Sequence, residues 1–206
     1  MAVNIKLSVQ PKIPFEKVLS RLGYLSGKTR IDKTLEEAIA TEIALAKKLL
    51  SPKYVLADSY VQLSEPDETR LEPGLKIKSK DIHNILRGCV KAFGFALTIG
   101  PYLEEKRNLF IKEKQTTKAL ILDAAGSVAA EEFAESINKA FETEAAKENL
   151  ALTRRFSPGY GDWDISGQKD FLLWLGAQKI GIELNEKFQM NPEKSVSAII
   201  GAKRNE

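Results

Sequence analysis

The side chains with the greatest capacity for chemistry lie together in one stretch, Arg154-Arg155-Phe156-Ser157-Pro158-Gly159-Tyr160-Gly161-Asp162-Trp163. Pro158 and Gly159 fix a tight path whose backbone N–H and C=O groups can face a ligand. Arg155 adds a planar fork of donors suited to a carboxylate, and Tyr160 adds an aromatic face. That is ligand chemistry. The same residues also make an ordinary Pro-Gly turn flanked by surface arginines, and residue types alone leave both readings open. Other chemistries are excluded more firmly. Cys89 is the only cysteine and His83 the only histidine, so iron–sulfur clusters, cysteine-rich zinc sites and CxxC redox pairs held by this chain alone are ruled out. A serine or cysteine hydrolase would need that one histidine as its base, and no Gly-x-Ser-x-Gly occurs. Neither a catalytic nucleophile nor a metal site is expected.

Three other motifs nearly fit. Gly23-Tyr24-Leu25-Ser26-Gly27-Lys28-Thr29 has the flavour of a phosphate loop, but its first glycine would have to stand at Leu22. It also follows a helix instead of a strand, so a helix cap and loop is the expectation. Asp81-Ile82-His83 matches the start of the Asp-x-His-x-x-Gly motif of cobalamin carriers, but the glycine is missing and the surrounding period is helical. A solvated or hydrogen-bonded helix histidine is expected there. Leu122-Asp123-Ala124-Ala125-Gly126-Ser127 has one glycine where the loop of a Rossmann-type methyltransferase uses several, so Asp123 and Gly126 belong to a closely packed helical face.

The chain has 206 residues, 43% hydrophobic and 29% charged, with 31 Lys+Arg against 28 Asp+Glu. A net charge of +3, dispersed along the sequence, is too small to argue for nucleic acid. No apolar run approaches the ~20 residues of a membrane span. The N-terminus alternates, Val3, Ile5, Leu7 and Val9 against Asn4, Lys6 and Ser8, unlike the continuous apolar stretch of a signal peptide. A soluble, cytoplasmic protein is expected.

The elements that must position the ligand stretch follow from periodicity. A strand is expected over Val3–Val9, a short helix from Pro14 to a cap at Gly23, and a longer helix from Thr34, where Thr34-x-x-Glu37 has the form of a capping box. Tyr54 to Leu63 and Gly74 to Lys78 could pair as a hairpin. Ser79 can cap a helix carrying Ile82, Ile85, Leu86 and Cys89, and Ala92 to Ile99 reads as a buried strand. From Pro101 to about Asn149 two helices are expected, broken around Gln115 to Thr117. Ala151 to Phe156 suits a strand, Gln168 to Lys179 a helix and Ser195 to Ile200 a final strand. Irregular interleaving with hairpin-like neighbours predicts an α+β fold, a single domain over 1–206 with a twisted mixed or antiparallel sheet and helices packed around it.

At the ligand stretch the sequence resembles the activation (reactivation) domain of cobalamin-dependent methionine synthase in a free-standing form. Arg155-Phe156-Ser157-Pro158-Gly159-Tyr160 satisfies that family's Arg-x-x-Pro-Gly-Tyr, and Ala130-Glu131-Glu132-Phe133-Ala134-Glu135 resembles its Ala-Glu-x-Phe-Ala-Glu helix. Gly181 to Glu186, Met190-x-Pro192 and Ser195-Val196-Ser197 are similar to its downstream series, and the likeness is strongest over 119–201. Where the family continues with Pro-Ala-Cys-Pro this chain has Gly161-Asp162-Trp163-Asp164.

The resemblance implies S-adenosylmethionine as ligand, with Arg155 on its carboxylate, the backbone of Ser157, Gly159 and Tyr160 around the nucleoside, and Glu131 as acidic partner. It implies Tyr160 and Trp163 on the rim facing a corrinoid. It implies cobalamin carried by a partner chain, a separately encoded methionine synthase subunit, and a flavodoxin- or ferredoxin-type electron donor. The function so implied is reductive remethylation of that cobalamin in methionine biosynthesis, by a component of a methyltransferase that is inactive alone. The alternatives are an accessory protein for another corrinoid methyltransferase that uses the scaffold without S-adenosylmethionine, and an autonomous methyltransferase.

Overall fold

A computed structural model of the chain describes residues 10–25, 30–65 and 67–205. The strand expected over Val3–Val9 and most of the Gly23–Thr29 loop lie outside the described residues. Six strands, β1 (Lys53–Glu65), β2 (Glu68–Leu71), β3 (Leu75–Lys78), β4 (Cys89–Thr98), β5 (Leu150–Leu152) and β8 (Ser195–Arg204), form one sheet in the order β3-β2-β1-β4-β8-β5. Every pairing in it is antiparallel. The architecture is α+β.

The central strand β4 explains how helices come to cover both faces. Its sequence puts Phe93, Phe95 and Leu97 on one side and Ala92, Gly94 and Ala96 on the other. The bulky face is covered by α1 (Phe15–Arg21), α2 (Lys33–Leu49), α4 (Tyr102–Lys112) and the 32-residue α5 (Thr116–Lys147). There Phe93 stacks on Phe141 at 4.8 Å between centroids, and Tyr54 meets Phe133 edge-on at 6.0 Å. The small face admits α3 (Lys80–Leu86), α6 (Gly167–Leu175) and the 3-10 turn Ala177–Ile180. Gly126 does the same for α5, since a Cβ there would stand 2.8 Å from Leu103 Cδ2 of α4. It belongs to a packed helical face, as expected.

Several expectations need correction. Asp32, not Thr34, caps α2, its side chain accepting from Leu35 N at 2.8 Å. Gly74–Lys78 does not pair with Tyr54–Leu63, because β2, which was not anticipated, lies between them. Cys89 opens β4 instead of extending α3. The helix from Gln168 stops at Gly176, which is left-handed with φ +71, and the 3-10 turn continues to Gly181. The two-residue strands β6 (Glu183–Leu184) and β7 (Met190–Asn191) pair in a small ribbon that periodicity could not reveal. His83 lies in α3 as expected, but is buried with no partner for Nδ1. Among the described residues no helix is long and apolar enough to cross a membrane.

Candidate functional site

The ligand stretch begins where β5 runs out along the edge of β8. Thr153 N donates to Gly201 O at 2.9 Å, and Phe156 and Ile199 then exchange two backbone bonds of 2.9 and 2.8 Å. Three steps on this strand therefore match two on β8, leaving one extra residue at Arg154-Arg155. A bulge of this kind re-aims side chains at a sheet edge. Arg154 lies over the Phe156 ring, 5.9 Å from its centroid, and the Arg155 guanidinium turns to α5, where Nη2 donates to Glu131 Oε1 at 2.5 Å. Ser157 Oγ donates to Ser197 O at 2.6 Å and closes the edge.

These residues surround a cleft of about 380 Å³ lined by Glu131, Arg154, Arg155, Phe156, Ser157, Tyr160, Val196 and Ala198. The volume falls in the range of small-molecule sites. Its floor is the edge of β8, one wall is the middle of α5 at Glu131, and the other is the Pro-Gly loop. Four of the five residues assigned to the ligand from the sequence, Arg155, Ser157, Tyr160 and Glu131, meet here. The fifth, Gly159, is not on the wall. Its N–H donates to Trp163 O at 2.8 Å and its φ of +89 makes the turn that no side-chain-bearing residue adopts without strain. Tyr160 N is likewise engaged within the loop, by Ser157 O at 3.3 Å, leaving the ring of Tyr160 67% exposed.

Trp163 needs a correction. It does not stand on a rim, being only 4% exposed, packed edge-on against Phe171 at 5.3 Å and against Gly167 of α6. Burial of the indole fastens the far end of the loop to the small face of the sheet.

Sequence reasoning missed Asp162. Its carboxylate accepts from Ser79 Oγ at 2.5 Å, Lys80 N at 2.8 Å and Asp81 N at 3.1 Å, all at the start of α3. The Ser79 hydroxyl, followed by these amides, holds the Asp162 carboxyl below the usual aspartate range. Nothing local could have announced a contact between residues 83 apart. The other end of the cleft floor is fixed by a network that periodicity also concealed. Arg107 bonds Asp123 at 2.8 Å and Glu193 at 2.7 Å, while Lys194, just before β8, bonds Asp123 and Ser127 at 2.8 and 2.9 Å. Burial pushes the Asp123 carboxyl up, but hydrogen bonds from Lys194 and Arg107 outweigh it and hold Asp123 below its ordinary value. Among the described residues no group of three His, Cys, Asp or Glu is placed to hold a metal ion.

No curated protein matches this chain. A solved structure described as the crystal structure of the MetH reactivation domain bound to AdoHcy is similar over 93% of this chain and 76% of that one, with a TM-score of 0.64. At 15% identity, that likeness shows a shared fold. The family model for the vitamin B12 dependent methionine synthase activation domain matches residues 82–206, from α3 through the cleft to the end of β8. That match takes in three of the six strands of the sheet, β4, β5 and β8, all of α5 and the whole ligand loop, well over half of the chain, and the chain therefore belongs to the family of vitamin B12 dependent methionine synthase activation domains.

Proposed function

We propose that this protein is an S-adenosylmethionine-binding component that supports reductive remethylation of cobalamin on a separately encoded methionine synthase. One observation carries the reading: Arg155, Glu131, Ser157 and Tyr160, drawn from a helix, a bulge and a loop, converge on a single cleft of about 380 Å³. Arg155 has five donors and engages Glu131 through Nη2, so the remainder of its fork suits a carboxylate. Glu131, 60% exposed beside it, suits an ammonium. The adjacent cation and anion form a receptor for the zwitterionic head of an amino acid, and S-adenosylmethionine carries such a head. The nucleoside then lies toward Ser157 and Tyr160. The AdoHcy in the similar solved structure supports this reading, since that molecule shares the amino acid head and the adenosine.

The corrinoid belongs to the partner. His83, the only histidine, is buried in α3 and is not placed to serve a corrinoid from the surface. Reduced cobalamin supplies the nucleophile for methyl transfer, so this chain needs to bind, orient and exclude competing groups. Tyr160, exposed at the mouth of the cleft, is the residue we assign to the corrinoid side. A flavodoxin- or ferredoxin-type protein would donate the electron. The test is methyl transfer from methyl-labelled S-adenosylmethionine to a cobalamin-loaded methionine synthase lacking its own activation module, under a low-potential reductant. Label on the corrinoid protein that depends on adding this chain supports the proposal. Equal labelling with and without it contradicts the proposal, and label transfer to small acceptors with no corrinoid protein present would indicate an autonomous methyltransferase.

A further inference from the structure

The loop that forms one wall of the cleft is fastened at both ends, and its second fastening has no counterpart among the ligand residues. At the first end, Phe156 and Ser157 are tied to β8 by three hydrogen bonds. At the second, Asp162 gathers Ser79 Oγ, Lys80 N and Asp81 N, and Asp81 returns the contact by accepting from Asp162 N at 3.3 Å. Gly161 makes the approach possible. Its φ is +53, and a Cβ there would stand 2.0 Å from Asp81 Oδ2. Tyr160 lies between the two fastenings.

We infer that Asp162 is a positioning residue, a clamp that holds the Ser157–Trp163 loop in the path the ligand requires. The inference rests on the assignment of the cleft to S-adenosylmethionine. Asp162 reaches the ligand only through the loop, because its carboxylate is turned to α3 and is not on the cleft wall. A side-chain carboxylate on the free amides of a helical first turn is the capping interaction of a helix N-terminus, here supplied from a distant part of the chain. Without it, only part of the population keeps the loop closed, and apparent affinity drops by that fraction. The worth of such a cap sets the size of the effect at about 2- to 30-fold.

The test compares wild type, Asp162→Asn and Asp162→Ala in calorimetric titrations with S-adenosylmethionine, alongside acrylamide quenching of Trp163 in a Trp174→Phe background, which leaves Trp163 as the only tryptophan. Asparagine keeps an oxygen for Ser79 and Asp81 but turns an NH2 toward Lys80 N. Affinity should therefore fall in the order wild type, Asn, Ala, and Trp163 quenching should rise in the same order, with the melting temperature falling only by the few degrees that a lost cap carries. A purely structural role would lower the melting temperature and leave affinity and quenching alone, as would a loop that needs no clamp. If wild type binds and Asp162→Ala binds equally well, the clamp is refuted and the ligand assignment stands. If wild type does not bind, the ligand assignment fails, and unchanged Trp163 quenching in Asp162→Ala then refutes the clamp separately.

Discussion

Replacing Gly94 by alanine tests the idea that one face of β4 is kept small so that α6 can approach. A Cβ at this position would lie 2.5 Å from Trp174 Cζ3, 3.3 Å from Trp174 Cη2 and 3.1 Å from Leu175 Cδ2. Trp174 cannot swing aside freely, because its Nε1 donates to Glu72 O at 3.0 Å and its ring stacks on Phe171 at 5.9 Å. Elsewhere in a strand, Gly→Ala gains about 0.5–1 kcal/mol from reduced backbone freedom. Here overpacking, at about 1–3 kcal/mol, decides the sign, and the net effect is destabilising. For a chain of this size each kcal/mol moves Tm by about 2–4 °C, so a loss of up to about 10 °C is expected. Urea unfolding of wild type, Gly94→Ala, Trp174→Leu and the double variant isolates the cause. If the indole is the obstacle, Gly94→Ala costs at least about 1 kcal/mol less in the Trp174→Leu background. An equal cost in both backgrounds, or less than about 0.5 kcal/mol in wild type, would refute the packing argument.

Glu42 of α2 is 4% exposed and its Oε2 has no hydrogen-bond partner, and burial pushes its carboxyl above the ordinary range despite Lys118 and Lys106. The folded state thus holds that proton more tightly than the unfolded state, and the penalty appears as pH rises from the ordinary glutamate range through the raised value. Glu42→Met should therefore stabilise the protein by about 1–3 kcal/mol at pH 7 and by less at pH 4, as read from denaturation midpoints at the two pH values; equal gains would contradict it. Asp32→Ala should remove about 1 kcal/mol by uncapping α2, whereas Thr34→Ala stays within about 0.5 kcal/mol, and thermal melts showing the reverse order would restore Thr34 as the cap. Tyr160→Ala removes an exposed ring and should leave Tm unchanged while weakening methyl transfer to the corrinoid partner; a large Tm loss would mean the ring is structural.

The parts of this fold that could be read in advance are those whose cause is local. The α4–α5 break, the Ser79 cap and the apolar run of β4 each depend on residues adjacent in the chain. The sequence points to Thr34 because Thr34-x-x-Glu37 satisfies a capping pattern, while the observed hydrogen bond to Asp32 depends on where the preceding chain enters. β2 was missed because four residues between two turns carry too short a period to register. At the site, Arg155, Ser157, Tyr160 and Glu131 are legible in the sequence because a family motif carries them, and the cleft they share is visible only in three dimensions. Trp163 departs from its expected place for a related reason. An aromatic beside a ligand loop has the same appearance in sequence whether it faces a ligand or, as here, packs under Phe171 and Gly167. Asp162 was invisible because its partners lie on α3, far upstream.

The central claim is that this cleft binds S-adenosylmethionine through Arg155, and calorimetric titration of wild type and Arg155→Ala with S-adenosylmethionine and S-adenosylhomocysteine tests it most directly. A charge-assisted pair contributes about 1.5–3 kcal/mol, so wild type should bind saturably and Arg155→Ala about ten-fold or more weakly. The Arg155–Glu131 pair is open to solvent on its Glu131 side, 60% exposed, and contributes about 1 kcal/mol or less to folding, so the variant should melt within a few degrees of wild type. Absence of binding by wild type at millimolar ligand, or equal affinity in wild type and Arg155→Ala, would contradict the account.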